Sequence, residues 1–262
     1  MSIPLLDSVK SIERQYYTGE EPVLVMCSDR NAYICKYMRS SFAANKLACE
    51  LIGAQMAKAW HLNSPEIAFV RIRPAHWSKG NNSAVSIGSK KMVGVVDITP
   101  STNREVKSSA KTLMQLLKIA LFDFWMANED RNANNANLLY NVEHEDLISI
   151  DYGCIFNTAT FEFPLSQLTS TDTILYSDLF QNLIQSKSHA SLEAMVKPLR
   201  AYYLACVNRS RQLSAKMVKV MPKEWNVPSI VVDMKTRQLF ESEWIEGVWR
   251  NFTDCLMENI GK

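Results

Sequence analysis

Two short segments decide the fold of this chain: Asn128–Asn135, which reads NEDRNANN, and Ile150–Gly153, which reads IDYG. The first follows Glu105–Ala127, whose apolar residues recur at helical spacing, so the sequence predicts a long helix that ends in a polar loop. Within this loop, Asp130 and Asn135 are five residues apart. In phosphoryl transfer, an Asp so placed orients the attacking hydroxyl and an Asn five residues later ligates Mg²⁺. The spacing therefore predicts one short loop that aims both groups into one cleft.

A second Asp follows two predicted short strands, Leu138–Tyr140 and Leu147–Ile150, and begins the D-x-G sequence at Asp151. In this pattern the Asp ligates Mg²⁺ and the Gly permits an abrupt turn. Magnesium needs few protein ligands beside water and phosphate oxygens, so Asn135 and Asp151 are the predicted metal ligands. The alternative is structural, with Asp130 and the asparagines in caps or Asx-turns and Asp151 a solvated strand end.

The same loop also matches part of a calcium-binding EF-hand, because Asp130, Asn132 and Asn134 alternate as its first three ligands do. That loop requires Gly at its sixth position and Glu at its twelfth. Asn135 and Asn141 stand there instead, which argues against calcium. The sequence also contains no G-x-x-x-x-G-K-[ST] segment, which excludes a standard P-loop nucleotide hydrolase.

The N-terminal half is rich in β-type segments. Pro22–Cys27 and Ala32–Met38 flank a polar turn and predict an antiparallel hairpin. Phe42–His61 has apolar residues at helical spacing and predicts a helix. Pro65 stops this helix from continuing and precedes a predicted strand at Ile67–Ile72.

The next segments connect this half to the helical half. Arg73–Lys91 predicts a loop whose clearest turn signal is Gly80–Ser83, and Met92–Ile98 predicts another strand. The polar stretch Thr99–Asn103 is the predicted hinge. Beyond Leu165 the pattern is mostly helical, including 191–221 and 242–260.

This order of segments predicts an α+β, bilobal, protein-kinase-like fold. Residues 1–102 would form a small β-rich N-lobe. Residues 103–262 would form a larger, mostly helical C-lobe that carries the catalytic loop.

Two charged residues of the N-terminal half fit the same chemistry. Lys36 lies in the second hairpin strand beside Ile34 and Cys35, and Glu50 lies inside the following helix. A Lys–Glu ion pair between such a strand and helix positions the Lys for nucleotide phosphates. The alternative is an ordinary snorkelling Lys and an exposed helical Glu.

Composition excludes several classes of protein. A net charge of +2 and a pI near 8.1 are too mild to indicate nucleic acid or a membrane surface as the main partner. The six cysteines form no C-x-x-C pair and mostly adjoin apolar residues, which argues against a zinc site and a disulfide framework. With no evident secretory signal or membrane-spanning run, the expected location is the cytoplasm.

The motifs resemble the HipA-like kinase domain. The resemblance lies in Leu121–Asn132, in Asn137–Leu139 and in Ile150–Gly153, and extends in order through Thr18-Gly19, Pro22–Val25, Tyr33–Lys36 and Leu47–Leu51. It covers roughly residues 16–156. The chain is more similar to the compact, standalone domain than to the full toxin of a bacterial toxin–antitoxin pair.

The resemblance implies an ATP- and Mg²⁺-dependent kinase that phosphorylates a Ser or Thr hydroxyl of a protein. Asp130 and Lys36 would be the catalytic residues, and Asn135 and Asp151 the metal ligands. The nucleotide-binding residues would be Lys36, Glu50, Gly19 and the hinge residues Val96, Asp97 and Ile98. A separate antitoxin or accessory chain would be a further partner, whereas no nucleic acid or membrane is expected.

The turn Thr18-Gly19-Glu20-Glu21 departs from the family, whose phosphate loop has small Gly and Ser residues. Two carboxylates beside a triphosphate would repel it unless they point away. A second hypothesis is therefore a nucleotide-binding pseudokinase that acts as a protein-interaction module.

Overall fold

The computed structural model describes residues 3–77, 84–185 and 187–260. Its N-terminal part is built on six strands: β1 (Leu5–Asp7), β2 (Arg14–Gln15), β3 (Val23–Met26), β4 (Ala32–Lys36), β5 (Ile67–Arg71) and β6 (Ser86–Lys90). They form one sheet in the order β1-β5-β6-β4-β3-β2. β1 is parallel to β5, and the other neighbouring strands are antiparallel.

The predicted hairpin is confirmed as β3 and β4, with Val25 paired with Tyr33. Side chains alternate between the two faces of a strand, so Tyr33 and Cys35 are buried in one apolar cluster. Lys36, the next residue, points to the opposite face. This face is covered by α1 (Ser41–Ala59), and it is this alternation that directs Lys36 toward the helix.

The prediction of a loop over Arg73–Lys91 is wrong, because β6 is a central strand between β5 and β4. Its small residues gave little β signal. The packing around Gly88 explains why β6 contains a glycine, because a Cβ there would lie 2.9 Å from a Val70 methyl carbon and 3.1 Å from the Tyr33 Cβ. A glycine is required where neighbouring strands press this closely. The predicted turn at 80–83 lies outside the described residues.

The second half begins with a three-stranded antiparallel sheet of β7 (Val95–Asp97), β8 (Leu138–Asn141) and β9 (Asp146–Ser149). The predicted strand pair is thus confirmed. β7 joins β8 of the second half, while the proposed division at residue 102 stays a prediction.

The long helix, α2 (Ala110–Met126), begins later than predicted. Ser109 caps it by accepting a 3.1 Å hydrogen bond from the Thr112 backbone N–H, and residues 103–105 form a separate 3₁₀ turn. A side-chain cap of this kind fixes where a helix starts. Every residue of α2 from Ile119 onward is buried, and all but Asp123 belong to the largest apolar core.

The next element, α3 (Ile155–Ala159), is a single turn whose residues 156–159 have left-handed φ angles. The remaining elements are right-handed helices: α4 (Asp178–Ile184), α5 (His189–Val196), α6 (Leu199–Val220), α7 (Ser229–Gln238) and α8 (Ser242–Ile260). The last agrees with the predicted helix at 242–260. The predicted helix at 191–221 is two helices, because Pro198 cannot donate a backbone hydrogen bond within a helix and breaks it.

The α+β class with a β-sheet N-terminal part and a helical remainder is confirmed. All six cysteines are free thiols. Within the described part of the chain, no helix has both the length and the apolarity needed to cross a membrane.

Candidate active site

The Lys36 ammonium lies among three carboxylates from three parts of the chain. It forms an ion pair with Glu50 of α1, as the sequence predicted. Its Nζ also lies 2.7 Å from Oδ1 of Asp151 and 2.8 Å from Oε2 of Glu20. The structure therefore joins the β-hairpin, the helix α1 and the D-x-G segment at one charged centre.

Glu50 is fixed in place by two groups. One oxygen binds Lys36, and the other accepts a 3.2 Å hydrogen bond from the Tyr152 backbone N–H. Glu50 is only 5% exposed, so its carboxylate would be costly to bury without both partners. Its position explains why a Glu lies between the buried residues Leu47 and Leu51 of α1.

Gly53 allows α1 to approach the D-x-G segment. A Cβ at Gly53 would lie 2.3 Å from the Tyr152 Cβ, which is far inside van der Waals contact. The Tyr152 ring instead packs over this glycine and meets the Phe122 ring edge-on at 5.9 Å. One turn of helix separates Gly53 from Glu50, so the close approach also brings Glu50 to the Tyr152 N–H.

The charges of Lys36, Glu50 and Asp151 shift one another's pKa values. Burial alone would raise the pKa of Asp151, but the adjacent Lys36 ammonium outweighs it and holds that pKa well below its usual range. Burial raises the pKa of Glu50, with a further contribution from the Asp151 charge, against the opposing effect of Lys36. Burial opposes the charge on Lys36, yet the three carboxylates keep its pKa well above the ordinary value. Asp151 is therefore the firmly ionised carboxylate of the centre.

Asp130 lies on the loop after α2 and is bound by amides. Its Oδ2 accepts hydrogen bonds from the side-chain amides of Asn135 at 3.1 Å and Asn137 at 2.8 Å. Burial, with smaller contributions from the charges of Asp130 and Asp151, raises the pKa of the Cys154 thiol to about 11.

A fully buried (sealed) ion pair supports the loop that carries Asp130. Arg131, fully buried, pairs with Asp123 of α2. Arg131 also donates hydrogen bonds to the backbone oxygens of Ile150 at 2.8 Å and Asn137 at 3.4 Å. One guanidinium therefore ties the long helix, the Asp130 loop and the strand end before Asp151 together.

The available donors fit a magnesium ion. Asn135 uses its amide nitrogen on Asp130, which leaves its carbonyl oxygen as a ligand atom. The oxygens of Glu20, Glu50 and Asp151 lie within 4.8 Å of one another, and Asp151 is the one whose charge is held most firmly. Oxygen donors with few carboxylates suit Mg²⁺.

The hinge residues Val96, Asp97 and Ile98 lie on or next to β7, beside the strand that leaves the Asp130 loop. The Ile98 N–H donates to the Leu138 oxygen at 3.0 Å. Ile98 and Asn135 line one cavity of about 140 Å³. Among the described residues, no hydrogen bond or ion pair links these hinge residues to Lys36.

The acidic turn does not point away from the cleft. Glu20 binds Lys36 and, through its other oxygen at 2.9 Å, Lys46 of α1. Glu21 turns outward to Arg39 at 3.0 Å. Gly19 lines the same cavity as Glu20 and Lys36.

Sequence reasoning missed three contributors to the site: Lys46, Arg131 and Asp123. Arg131 lies inside the loop Asn128–Asn135, but the sequence did not distinguish it from the other polar residues of this loop. Asp123 could have been found as the one charge in the apolar segment Ile119–Met126. Nothing in the sequence distinguished Lys46 from an exposed helical Lys.

Comparison with protein-family models gives a match to the model described as HipA-like kinase, over residues 9–251. No curated protein matched the chain. The family model spans both halves and includes every site residue described above.

Among solved structures, a Helicobacter pylori proinflammatory kinase, CtkA, is similar with a TM-score of 0.59 and 13% identity, covering 96% of this chain and 99% of that one. At this identity the likeness concerns the fold. The open conformation of CtTel1 matches with a TM-score of 0.26 and 10% identity, covering 91% of this chain and 12% of that one.

Proposed function

The chain belongs to the HipA-like kinase family, and from this premise we propose that it is an ATP- and Mg²⁺-dependent protein kinase that phosphorylates a Ser or Thr hydroxyl. The observation that carries the proposal is the convergence of Glu50 and Asp151 on Lys36. Protein kinases require a Lys held by a helical Glu beside a metal-binding D-x-G aspartate.

Each residue then has a role. Lys36 binds nucleotide phosphate oxygens, and Glu50 keeps its ammonium aimed at them. Asp151 and the Asn135 oxygen would hold Mg²⁺, which would neutralise charge on the phosphates. Asp130, held by two amides, orients the substrate hydroxyl and accepts its proton as the phosphoryl group transfers.

The adenine would lie against the hinge, with backbone groups of Val96–Ser101 at its edge. The cavity shared by Ile98 and Asn135 supports this orientation, because it brings the hinge next to the metal-binding end of the Asp130 loop. We propose the reducing cytoplasm as the location of the protein, which is in keeping with its free cysteines. An accessory chain is a further expected partner.

A pseudokinase is the second candidate, favoured by the contact of Glu20 with Lys36. The test is transfer of labelled γ-phosphate from ATP and Mg²⁺ to proteins of a host lysate or to the chain itself. Transfer that disappears in Asp130→Ala supports the kinase. Nucleotide binding without transfer in the parent would contradict it and support the second candidate.

A further inference from the structure

Glu20 bridges two lysines that come from different elements. One carboxylate oxygen lies 2.8 Å from Nζ of Lys36 on β4, and the other lies 2.9 Å from Nζ of Lys46 on α1. An oxyanion with one oxygen on each of two ammonium groups has the bonding of a nucleotide phosphate held by the same pair. Glu20 thus occupies a place that suits a phosphate group.

Lys36 does not need Glu20 for charge balance. It already has Glu50 and Asp151 within ion-pair distance, so three carboxylates face two ammonium groups in this centre. Like charges this close disfavour one another. A polyphosphate that approached Lys36 while Glu20 remained there would meet the same repulsion.

The turn that carries Glu20 is anchored by its neighbour. Glu21 binds Arg39 at 3.0 Å and accepts a 3.0 Å hydrogen bond from the Gln15 side-chain amide. The Glu21 N–H closes the turn on the Thr18 oxygen at 3.0 Å. Glu20 can therefore release its lysines by side-chain rotation while the backbone of the turn stays in place.

Space for this exchange adjoins the bridge. A cavity of about 380 Å³ is lined by Gly19, Glu20, Lys36 and Lys46, and also by Arg39. This volume lies within the range of small-ligand sites, and three cations line it. Its composition suits an anion.

We propose that Lys46 is a second phosphate-binding residue of the nucleotide site and that Glu20 is a built-in competitor, which holds Lys36 and Lys46 until Mg²⁺-bound nucleotide displaces it. The inference rests on the proposed kinase function and adds a residue and a competitor to it. The acidic turn then lowers nucleotide affinity without abolishing the site.

The test is calorimetric titration of the purified chain with Mg-ATP, with adenosine and with inorganic tripolyphosphate. Glu20→Gln removes the competing charge, so its Kd for Mg-ATP and for tripolyphosphate should fall about tenfold. Lys46→Met should raise both Kd values by a similar factor. Adenosine has no phosphate, so neither variant should change its binding.

Glu66→Gln is the matched control, since it removes a carboxylate that pairs with Lys90 at 3.4 Å and does not line this cavity. It should bind Mg-ATP within about twofold of the parent. The inference is overturned if Glu20→Gln binds Mg-ATP no more tightly than Glu66→Gln, or if Lys46→Met binds like the parent.

The titrations distinguish failure of this inference from failure of the proposed function. Parent binding of Mg-ATP that is unaffected by the Glu20 and Lys46 variants would contradict the inference alone. Tripolyphosphate binding that responds to both variants, in a chain that does not bind Mg-ATP, would contradict the nucleotide function and leave the phosphate site. A chain that binds neither ligand would contradict both.

Discussion

Two charged clusters lie on either side of the D-x-G segment, and they differ in what surrounds them. Arg131 and Asp123 are sealed, with side chains 0% and 1% exposed, and the remaining donors of Arg131 bind backbone oxygens. Lys36 is 15% exposed, and its partners include the 33% exposed Asp151. The sealed pair has no access for a ligand, whereas the Lys36 cluster opens on a cavity.

This difference in exposure separates a role in supporting the fold from a role in ligand binding and catalysis. A sealed pair whose guanidinium already binds a carboxylate and two backbone oxygens can only position its neighbours, so its loss should appear mainly as lost stability. An open cluster with a surplus carboxylate can exchange partners with a ligand, so its loss should appear mainly as lost binding and activity. Substitutions in each cluster test this division.

The largest effect should come from Arg131→Met. Removing the guanidinium leaves the Asp123 carboxylate buried and uncompensated, which costs about 3–5 kcal/mol of unfolding free energy. Urea denaturation measures this directly. Arg237→Met is the matched control, because Arg237 pairs with Asp233 across one exposed helical turn, and such pairs contribute about 0.3–0.5 kcal/mol. Equal losses in the two variants would remove the distinction between the clusters.

Lys36→Met should act on activity instead. It removes the charge that meets the nucleotide phosphates, so the rate of phosphoryl transfer should fall on the order of 10²–10³-fold. The loss of unfolding free energy should be smaller than that of Arg131→Met, because Glu50 can take up a proton once Lys36 is gone. Glu50→Gln should cost less activity, because Lys36 remains and loses only its orienting partner. Kinase assays should rank the variants in this order, with Lys90→Met on the neighbouring strand near the parent rate. Near-parental rates in both variants would show that the phosphates are held elsewhere.

Gly53→Ala tests how the two clusters are joined. The new Cβ would overlap the Tyr152 side chain at 2.3 Å, so α1 or the D-x-G segment must shift, at a cost of about 1–3 kcal/mol. Gly247→Ala on α8 is the control, since its Cβ would meet only the end of the Gln167 side chain at 3.1 Å. It should be neutral or stabilising by up to about 1 kcal/mol. Thermal denaturation of both variants checks the contrast.

The last prediction concerns the proton on Glu50. Its pKa in the folded chain is raised by burial, so the folded state binds this proton more tightly than the unfolded state. Ionisation of Glu50 therefore costs stability as pH rises from the ordinary carboxyl range toward the raised value, by about 1.4 kcal/mol for each pH unit between the unfolded and folded pKa. Without added nucleotide or metal, the parent should lose stability relative to Glu50→Gln over this window. A difference in unfolding free energy that is constant with pH would mean that Glu50 titrates normally.

The elements that the sequence predicted well have strong local signals. The hairpin, α1 and α8 carry the periodic apolar pattern of their class, and the Lys36–Glu50 pair followed from their order. β6 was missed because Ser86, Gly88 and Ser89 have low strand propensity, and only the packing against Val70 and Tyr33 explains them. Tertiary contacts override local preference at such positions.

The site was predictable where a motif ties chemistry to spacing, as for Asp130, Asn135 and Asp151. Glu20 and Lys46 were not predictable as partners, because they lie 26 residues apart and meet only after the turn folds over α1. The turn that carries Glu20 is anchored by the ion pair of Glu21 with Arg39. A linear motif does not contain that information.

The central claim, that the open cluster binds Mg-nucleotide while the sealed one supports the fold, is tested most directly by thermal shift. The parent and Asp151→Asn are melted with ATP and Mg²⁺, with ATP alone and with neither. At a hundredfold excess over Kd, binding should stabilise the parent by about 2.7 kcal/mol, a shift of several degrees that requires both ligands. Asp151→Asn should melt near the parent without ligand, because Lys36 keeps Glu50 and Glu20, and should show no Mg-dependent shift. Equal Mg-ATP shifts in the two proteins would contradict the account.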